Sequence, residues 1–368
     1  MLEAQRELRA LLERQPVHFF VREYYPRLDA ARRALAEFLD ADPDHLAFVQ
    51  NATTGVNSVL RSMRFEAGDE LLVSNHEYNA CRNVLDFVAA QAGARVVVAE
   101  IPFPIESPEQ VLDAVISAVS ERTRLALLDH VTSATGLVLP IERLLRALEE
   151  RGVVTLVDGA HAPGMLPLSL SSLKPAYYTG NCHKWLCAPK GAGFLYVRPD
   201  LQAGVRPAVI SHGANTRDES RSRFRHEFDW VGTTDPTAWL SVPVAIETLR
   251  GLVPGGWPEI QRRNRELVLA GRRVLLKALG LPEPAPEEMI GSLAALPLPD
   301  GPPGTPSPLY VDELQARLHE EHRIEVPVSP WPAPPKRVLR ISAQLYNSLS
   351  DYEFLASKLP EALGRQSS

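Results

Sequence analysis

The chain is poor in cysteine, with only Cys81, Cys182 and Cys187 among 368 residues. An odd, sparse set excludes a disulfide-stapled scaffold and reads as the reduced thiols of a cytoplasmic protein. No apolar run approaches the ~18 residues of a membrane span, so a membrane role is not expected. Positive charge is not in excess either: 39 Lys and Arg stand against 45 Asp and Glu, for a net charge of -6. That balance lacks the footprint of a nucleic-acid binder and any pull toward an anionic bilayer. Internal repeats and long low-complexity tracts are missing. The amino-terminal MLEAQRELRALLER is charged and amphipathic, unlike a secretory signal.

What is present is the composition of an ordinary globular protein, 45% hydrophobic and 23% charged. With single domains of roughly 100–200 residues, this length points to one large and one small domain. Leucines at 2, 8, 11 and 12 predict an amino-terminal helix, and a second runs from about Leu28 to Leu39. Apolar runs then follow at 46–49, 70–74, 94–100, 124–129 and 153–158, separated by helical stretches at 55–63, 79–92, 108–120 and 141–150. Two further runs, 176–179 and 193–197, bracket a polar loop. Apolar strands alternating with helices predict a mainly parallel sheet covered on both faces, here of seven strands. Proline is abundant, at 32 residues, and much of it falls at 282–309, where strand edges and turns are expected. The expected division is an amino-terminal segment, 1–27, packed with a small α+β domain at 255–368, and a large domain at 28–254.

Asp158 ends the run VVTLVD, at the carboxyl edge where open α/β sheets bind ligands. An aspartate there could equally cap the next turn. Beyond it, His183 and Lys184 lie in the loop GNCHKWLCAPKGAG between two strands. A lone His-Lys pair carries no information, since most lysines are solvated. The combination of a strand-end carboxylate, a strand, a lysine loop and a glycine-rich turn does. Pyridoxal phosphate needs a carboxylate against its ring nitrogen to keep that nitrogen protonated. It also needs a lysine whose pKa is lowered by burial or neighbouring charge. Its phosphate needs donors, and QNATTGVNSVL opens a helix directly after a strand. Thr53 and Thr54 offer hydroxyls there, and Gly55 permits close backbone approach. A plain helix cap is the competing reading of that segment. Cys182, His183 and Cys187 do not have the spacing of a zinc site, so no metal is expected. The arginines of TRDESRSRFRH at 216–226 read as a solvated loop near the site.

Together these segments resemble the class V aminotransferase family, of the fold-type-I pyridoxal-phosphate transferases, and within it isopenicillin N epimerase-like proteins. The resemblance covers nearly the whole chain, including VQNATTGVNSVLRS, DHVTSATGLVLP, VDGAHAPGMLPLSL, YYTGNCHKWLCAPKGAGFLYVRPD, FDWVGTTDPTAW and LRISAQLYNS. It implies that Lys184 holds the cofactor aldehyde and moves protons at Cα, and that Asp158 contacts the ring nitrogen. It places His161, where many relatives have Gln, and Ser133, where many have Asn, near the ring oxygen. It assigns phosphate contacts to Thr53, Asn181 and His183, and to Thr233 from a neighbouring subunit, hence a homodimer with shared sites. Tyr78, rather than His76, is expected to stack on the ring. Arg340 matches the arginine that grips the substrate carboxylate.

Two departures bear on the reaction. Desulfurases of this family carry a nucleophilic cysteine late in the chain, whereas no cysteine follows Cys187. Relatives also carry a glycine-containing loop before the first helix, and residues 1–14 have no glycine. Its absence leads to the expectation of weak activity with cofactor binding retained. The implied chemistry is epimerase-like or transaminase action at Cα, with β-elimination (C–S lyase type) or an idle cofactor binder as alternatives. Lys184→Ala should abolish the visible absorbance of covalently held cofactor; an unchanged band would exclude Lys184.

Overall fold

The computed structural model describes residues 1–301, 303 and 311–364. Seven strands form the main sheet: β1 (Leu46–Val49), β2 (Glu70–Ser74), β3 (Arg95–Ala99), β4 (Thr123–Asp129), β5 (Val154–Gly159), β6 (Tyr177–Asn181) and β7 (Gly193–Val197). Their order is β1-β7-β6-β5-β4-β2-β3. Only β7 runs against its neighbours, so six strands share one direction. The strands are apolar almost throughout because alternate residues enter two different cores. Leu71, Val73, Leu125, Leu127 and Leu156 pack with the helices Ala52–Leu60 and Asn79–Ala92. Leu72, Ala126, Leu128 and Val157 face the other way, toward Tyr24–Leu39, Ile141–Glu149 and Val242–Arg250. The edge strand β3 is only half-buried, and its exposed Arg95 pairs with Glu70, a charge that discourages edge pairing.

The six parallel strands end at one edge of the sheet, and β7 begins there. Val49 and Asn181 both pair in register with Gly193, and Asp129 with Asp158. The reversal between β6 and β7 therefore folds residues 182–192, with Lys184, over the strand ends. A second sheet, of order β8-β10-β9, joins β8 (Leu293–Leu298), β9 (Val328–Pro330) and β10 (Arg337–Ser342), all antiparallel. It is accompanied by Gly256–Leu279, Glu313–His322 and Leu349–Ala362. Gly271 lets the first of these approach the last, since a Cβ there would come within 2.6 Å of the Tyr352 ring.

Several element bounds differ from the sequence expectation. The second helix, Tyr24–Leu39, continues directly from a π turn, Phe19–Glu23, and Pro26 lies just past that junction. The helix after β1 begins at Ala52 because Asn51 Oδ1 accepts from the Thr54 amide at 2.9 Å. The proline-rich stretch contains a short turn, Glu287–Met289, and β8. Its segment PPGTPSP lies outside the described residues, apart from Pro303. Helix Leu2–Arg14 reaches residues 235–237, with Gln5 Nε2 donating to Thr237 Oγ1 at 3.2 Å and Arg9 pairing with Asp235 at 2.7 Å. Those partners belong to the stretch read from sequence as the large domain.

Of the arginines read as a solvated loop, Arg217 and Arg223 are exposed, but Arg221 is half-buried and Arg225 buried. Helix Arg223–Asp229 sets Arg225 and Asp229 one turn apart, and both are buried. Arg225 and Arg221 each reach Asp29 at 2.6 Å, while Asp229 pairs with the fully buried Arg32. Removing one partner of a buried ion pair leaves an uncompensated charge, at about 3–5 kcal/mol. Asp229→Ala should therefore lower unfolding stability by about 3 kcal/mol or more in chemical denaturation. A loss within about 0.5 kcal/mol, the surface range, would mean that the network contributes nothing.

Candidate active site

At the carboxyl edge a cleft of about 220 Å³ opens beneath the 182–192 loop. Lys184, Asp158, His161 and Ser133 line it, as do Thr53, Tyr78, Asn181 and His183. Lys184 Nζ lies 2.9 Å from His161 Nε2, and the Trp185 indole N–H donates to His161 Nδ1 at 3.3 Å. Burial lowers the Lys184 pKa to about 8; Asp158 and Asp129 oppose that shift and Arg340 adds to it. Burial also holds His161 neutral, with the Lys184 and Arg340 charges acting in the same sense.

Asp158 Oδ1 accepts from the Ala160 amide at 2.9 Å, and Oδ2 from the Cys81 thiol at 3.1 Å. Beside it stands Asp129, which is 3% exposed and whose Oδ2 has no partner among the described residues. Burial and the adjacent Asp158 push the Asp129 carboxyl well above the usual carboxylate range. Glu77 is half-buried as a residue, yet both carboxylate oxygens are shielded and unpartnered among the described residues. Glu77, Cys81 and Asp158 offer atoms all within 4.8 Å of one another. The cleft thus has more acid than cation at one end.

The opposite end is built from amides and hydroxyls. Asn181 Oδ1 accepts from the Ala52 amide at 2.9 Å, which docks the helix start against β6. His183 Nδ1 donates to the Ala192 carbonyl at 2.8 Å. Gly55 serves a different approach from the one expected: a Cβ there would lie 2.3 Å from Thr179 Oγ1, so it lets the helix close on β6.

Three expected residues do not line the cleft. Thr54 Oγ1 is bonded to Asn51 Oδ1 at 3.1 Å, the cap reading of this segment. Thr233 lies on an exposed turn. Arg340, in β10, sits just behind the wall and donates to the Ser133 carbonyl. His76 is buried, with Nδ1 2.7 Å from Thr135 Oγ1 and its ring tilted on Trp331, while Tyr78 is 47% exposed at the cleft mouth. The sequence reading missed Asp129, Glu77, Cys81 and Trp185. For Asp129 a signal existed: it closes RLALLD as Asp158 closes VVTLVD.

An amine of lowered pKa, a buried excess of acid and a helix start that presents Thr53 fit an aldehyde, a protonated ring nitrogen and a phosphate. Those features define a pyridoxal-phosphate-dependent enzyme of α/β architecture. Residues 3–283 match the aminotransferase class-V family, and the chain belongs to it. It is 38% identical to isopenicillin N epimerase of Amycolatopsis lactamdurans, over 96% of this chain and 89% of that one. It is 32% identical to a probable chloroplastic L-cysteine desulfhydrase of Arabidopsis thaliana, over 96% and 78%. Its fold is similar to that of the cystine C–S lyase C-DES in complex with cysteine persulfide, with a TM-score of 0.80, 23% identity and coverage of 97% and 93%. A cysteine desulfurase of Thermococcus onnurineus gives 0.79 and 20%, covering 99% and 91%.

Two adjacent buried acids should respond differently to amidation. An amide mimics a protonated carboxyl, so Asp129→Asn should keep cofactor content and stability within about 0.5 kcal/mol of wild type. Asp158→Asn should slow turnover at least ~10-fold, since each ~1.4 kcal/mol of barrier is a factor of ten. Equal losses of cofactor and turnover in both variants would show that Asp129 is ionised.

Proposed function

We propose that this enzyme acts at the α-carbon of an amino acid, by epimerisation or amino transfer, with Lys184 holding the cofactor and moving the α-proton. The observation that carries this reading is the Lys184 amine itself, buried in a cleft between the carboxylate end and the phosphate-like end. Pyridoxal phosphate, when bound, supplies the aldehyde for Lys184 and an electron sink for the pair left at Cα. Asp158 would hold the ring-nitrogen proton through a charge-assisted hydrogen bond. His161 and Ser133 would meet the ring oxygen, and Tyr78 would cover the ring. Thr53, Asn181 and the amino end of the helix Ala52–Leu60 would hold the phosphate, with Thr54 acting only through Asn51. Because His183 Nδ1 donates to the Ala192 carbonyl, its Nε2 can donate to a phosphate only when the ring is protonated. Arg340 would take the substrate carboxylate with the part of its fork not given to Ser133. The exposed, off-cleft position of Thr233 supports a homodimer in which it serves the neighbouring site. Three free cysteines support a reducing, cytoplasmic compartment.

A second reading is β-elimination from a cysteine-like substrate, favoured by the relative named as an L-cysteine desulfhydrase. A persulfide carried on the protein is not favoured, because Cys81 and Cys182 are buried and Cys187 is half-buried. Incubation with amino acids of both configurations in deuterated water separates the two. Exchange and inversion at Cα, or keto-acid formation dependent on an amino acceptor, supports the first reading. Release of sulfide with pyruvate from cysteine, without inversion of any amino acid, would replace it with the second. Arg340→Ala should weaken amino acid binding about tenfold or more, the loss of at least ~1.4 kcal/mol, while the bound-cofactor absorbance persists. Unchanged affinity in a spectral titration would remove Arg340 from the substrate site.

A further inference from the structure

Trp185 follows Lys184 in the chain, and its side chain turns back toward the site; it is 8% exposed, as is His161. An indole N–H can only donate. At 3.3 Å from His161 Nδ1 it requires that nitrogen to be an acceptor, without a proton. A neutral imidazole carries one ring proton, so it must be on Nε2. That Nε2–H lies 2.9 Å from Lys184 Nζ. An ammonium has no lone pair and would present hydrogen against hydrogen there; a neutral amine accepts the bond. We propose that Trp185 is a positioning residue that fixes His161 in its Nε2–H tautomer and thereby keeps Lys184 a neutral amine.

The groups facing Lys184 from the packed elements are Asp158 on β5, Asp129 on β4, Cys81 on the helix Asn79–Ala92 and Arg340 on β10. Asp158 favours an ammonium, so something must oppose it if the amine is to be free for an aldehyde. Burial and Arg340 do so without direction; the Trp185–His161–Lys184 chain does so through a specific proton position. His161 is suited to the task because its burial, and then the Arg340 charge facing it, disfavour a second ring proton. The device is local: it needs neither the cofactor nor substrate in place.

The inference rests on the reading of Lys184 as the cofactor lysine, but its test uses the cofactor-free chain, so the two can fail separately. Trp185→Phe keeps an aromatic ring and removes the N–H, freeing His161 to turn its lone pair toward Lys184 and accept from an ammonium. The pH dependence of Lys184 acylation by an amine-selective reagent, read by mass spectrometry, should have its midpoint near 8 in the wild type. In Trp185→Phe it should rise by about one pH unit, tenfold in the neutral fraction. Long-range 1H–15N spectra of the wild type should show His161 protonated on Nε2, and a mixture in Trp185→Phe. In a His161→Ala background, Trp185→Phe should leave the midpoint in place. An Nδ1–H tautomer in the wild type, an unmoved midpoint in Trp185→Phe, or an equal shift in the His161→Ala background would each overturn the proposal. If the variant fails to fold, a wild-type spectrum with the proton on Nδ1 still overturns the proposal. Loss of cofactor binding in the wild type would instead strike the reading of Lys184 itself.

Discussion

Burial of opposite charge at the ends of β4, β5 and the 182–192 loop is the constraint on which this site depends. A lysine and several acids share a space from which water is largely excluded, where electrostatic interactions are strong and unpartnered charges are costly. The protein meets that cost by controlling protons rather than by pairing every charge. Asp129 keeps its proton under pressure from Asp158. The Cys81 thiol keeps its proton and donates a hydrogen bond to Asp158. Lys184 is drawn toward neutrality. The sheet topology makes this possible, because β6 ends at the same edge as β4 and β5 and the reversed β7 starts there, so the lysine loop between them stays beside the aspartates.

Much of this was legible in the sequence. Seven apolar runs became seven strands, because a strand covered on both faces is apolar at every position. Lys184 and Asp158 could be paired from their placement alone, one in a loop between strands and one at a strand end. The helices at 79, 108 and 141 began where the sequence placed them; the start at Ala52 was read late, since a cap such as Asn51 acts through side-chain geometry that an apolar pattern does not report. Arg225 looked solvated for a similar reason. A charged run is indistinguishable from a surface loop until Asp29 and Asp229 are known to face it.

The residues that sequence reasoning missed are those whose role depends on contacts between distant segments. Cys81 is separated from Asp158 by 77 positions, and nothing local to its helix announces the bond. Glu77 sits in a turn that reads as solvent-facing, yet its oxygens are enclosed. Trp185 is notable in the sequence only as the neighbour of Lys184; its 3.3 Å approach to His161 Nδ1 is visible only in the fold. Gly55 carried a correct signal of close approach with the wrong partner, the neighbouring strand in place of a phosphate.

The buried network around Asp229 also has a kinetic meaning. Arg32 and Asp229 are 197 positions apart, and the intervening chain contains the entire main sheet. Contacts of such long range are slow to form because the entropy of closing the loop must be met before they return any energy. The pairs Arg225–Asp229 and Arg32–Asp29 lie within single helices, whereas Arg32–Asp229, Arg221–Asp29 and Arg225–Asp29 form only when the two distant segments meet. The clasp thus ties together the two ends of the chain segment that carries every strand of the main sheet.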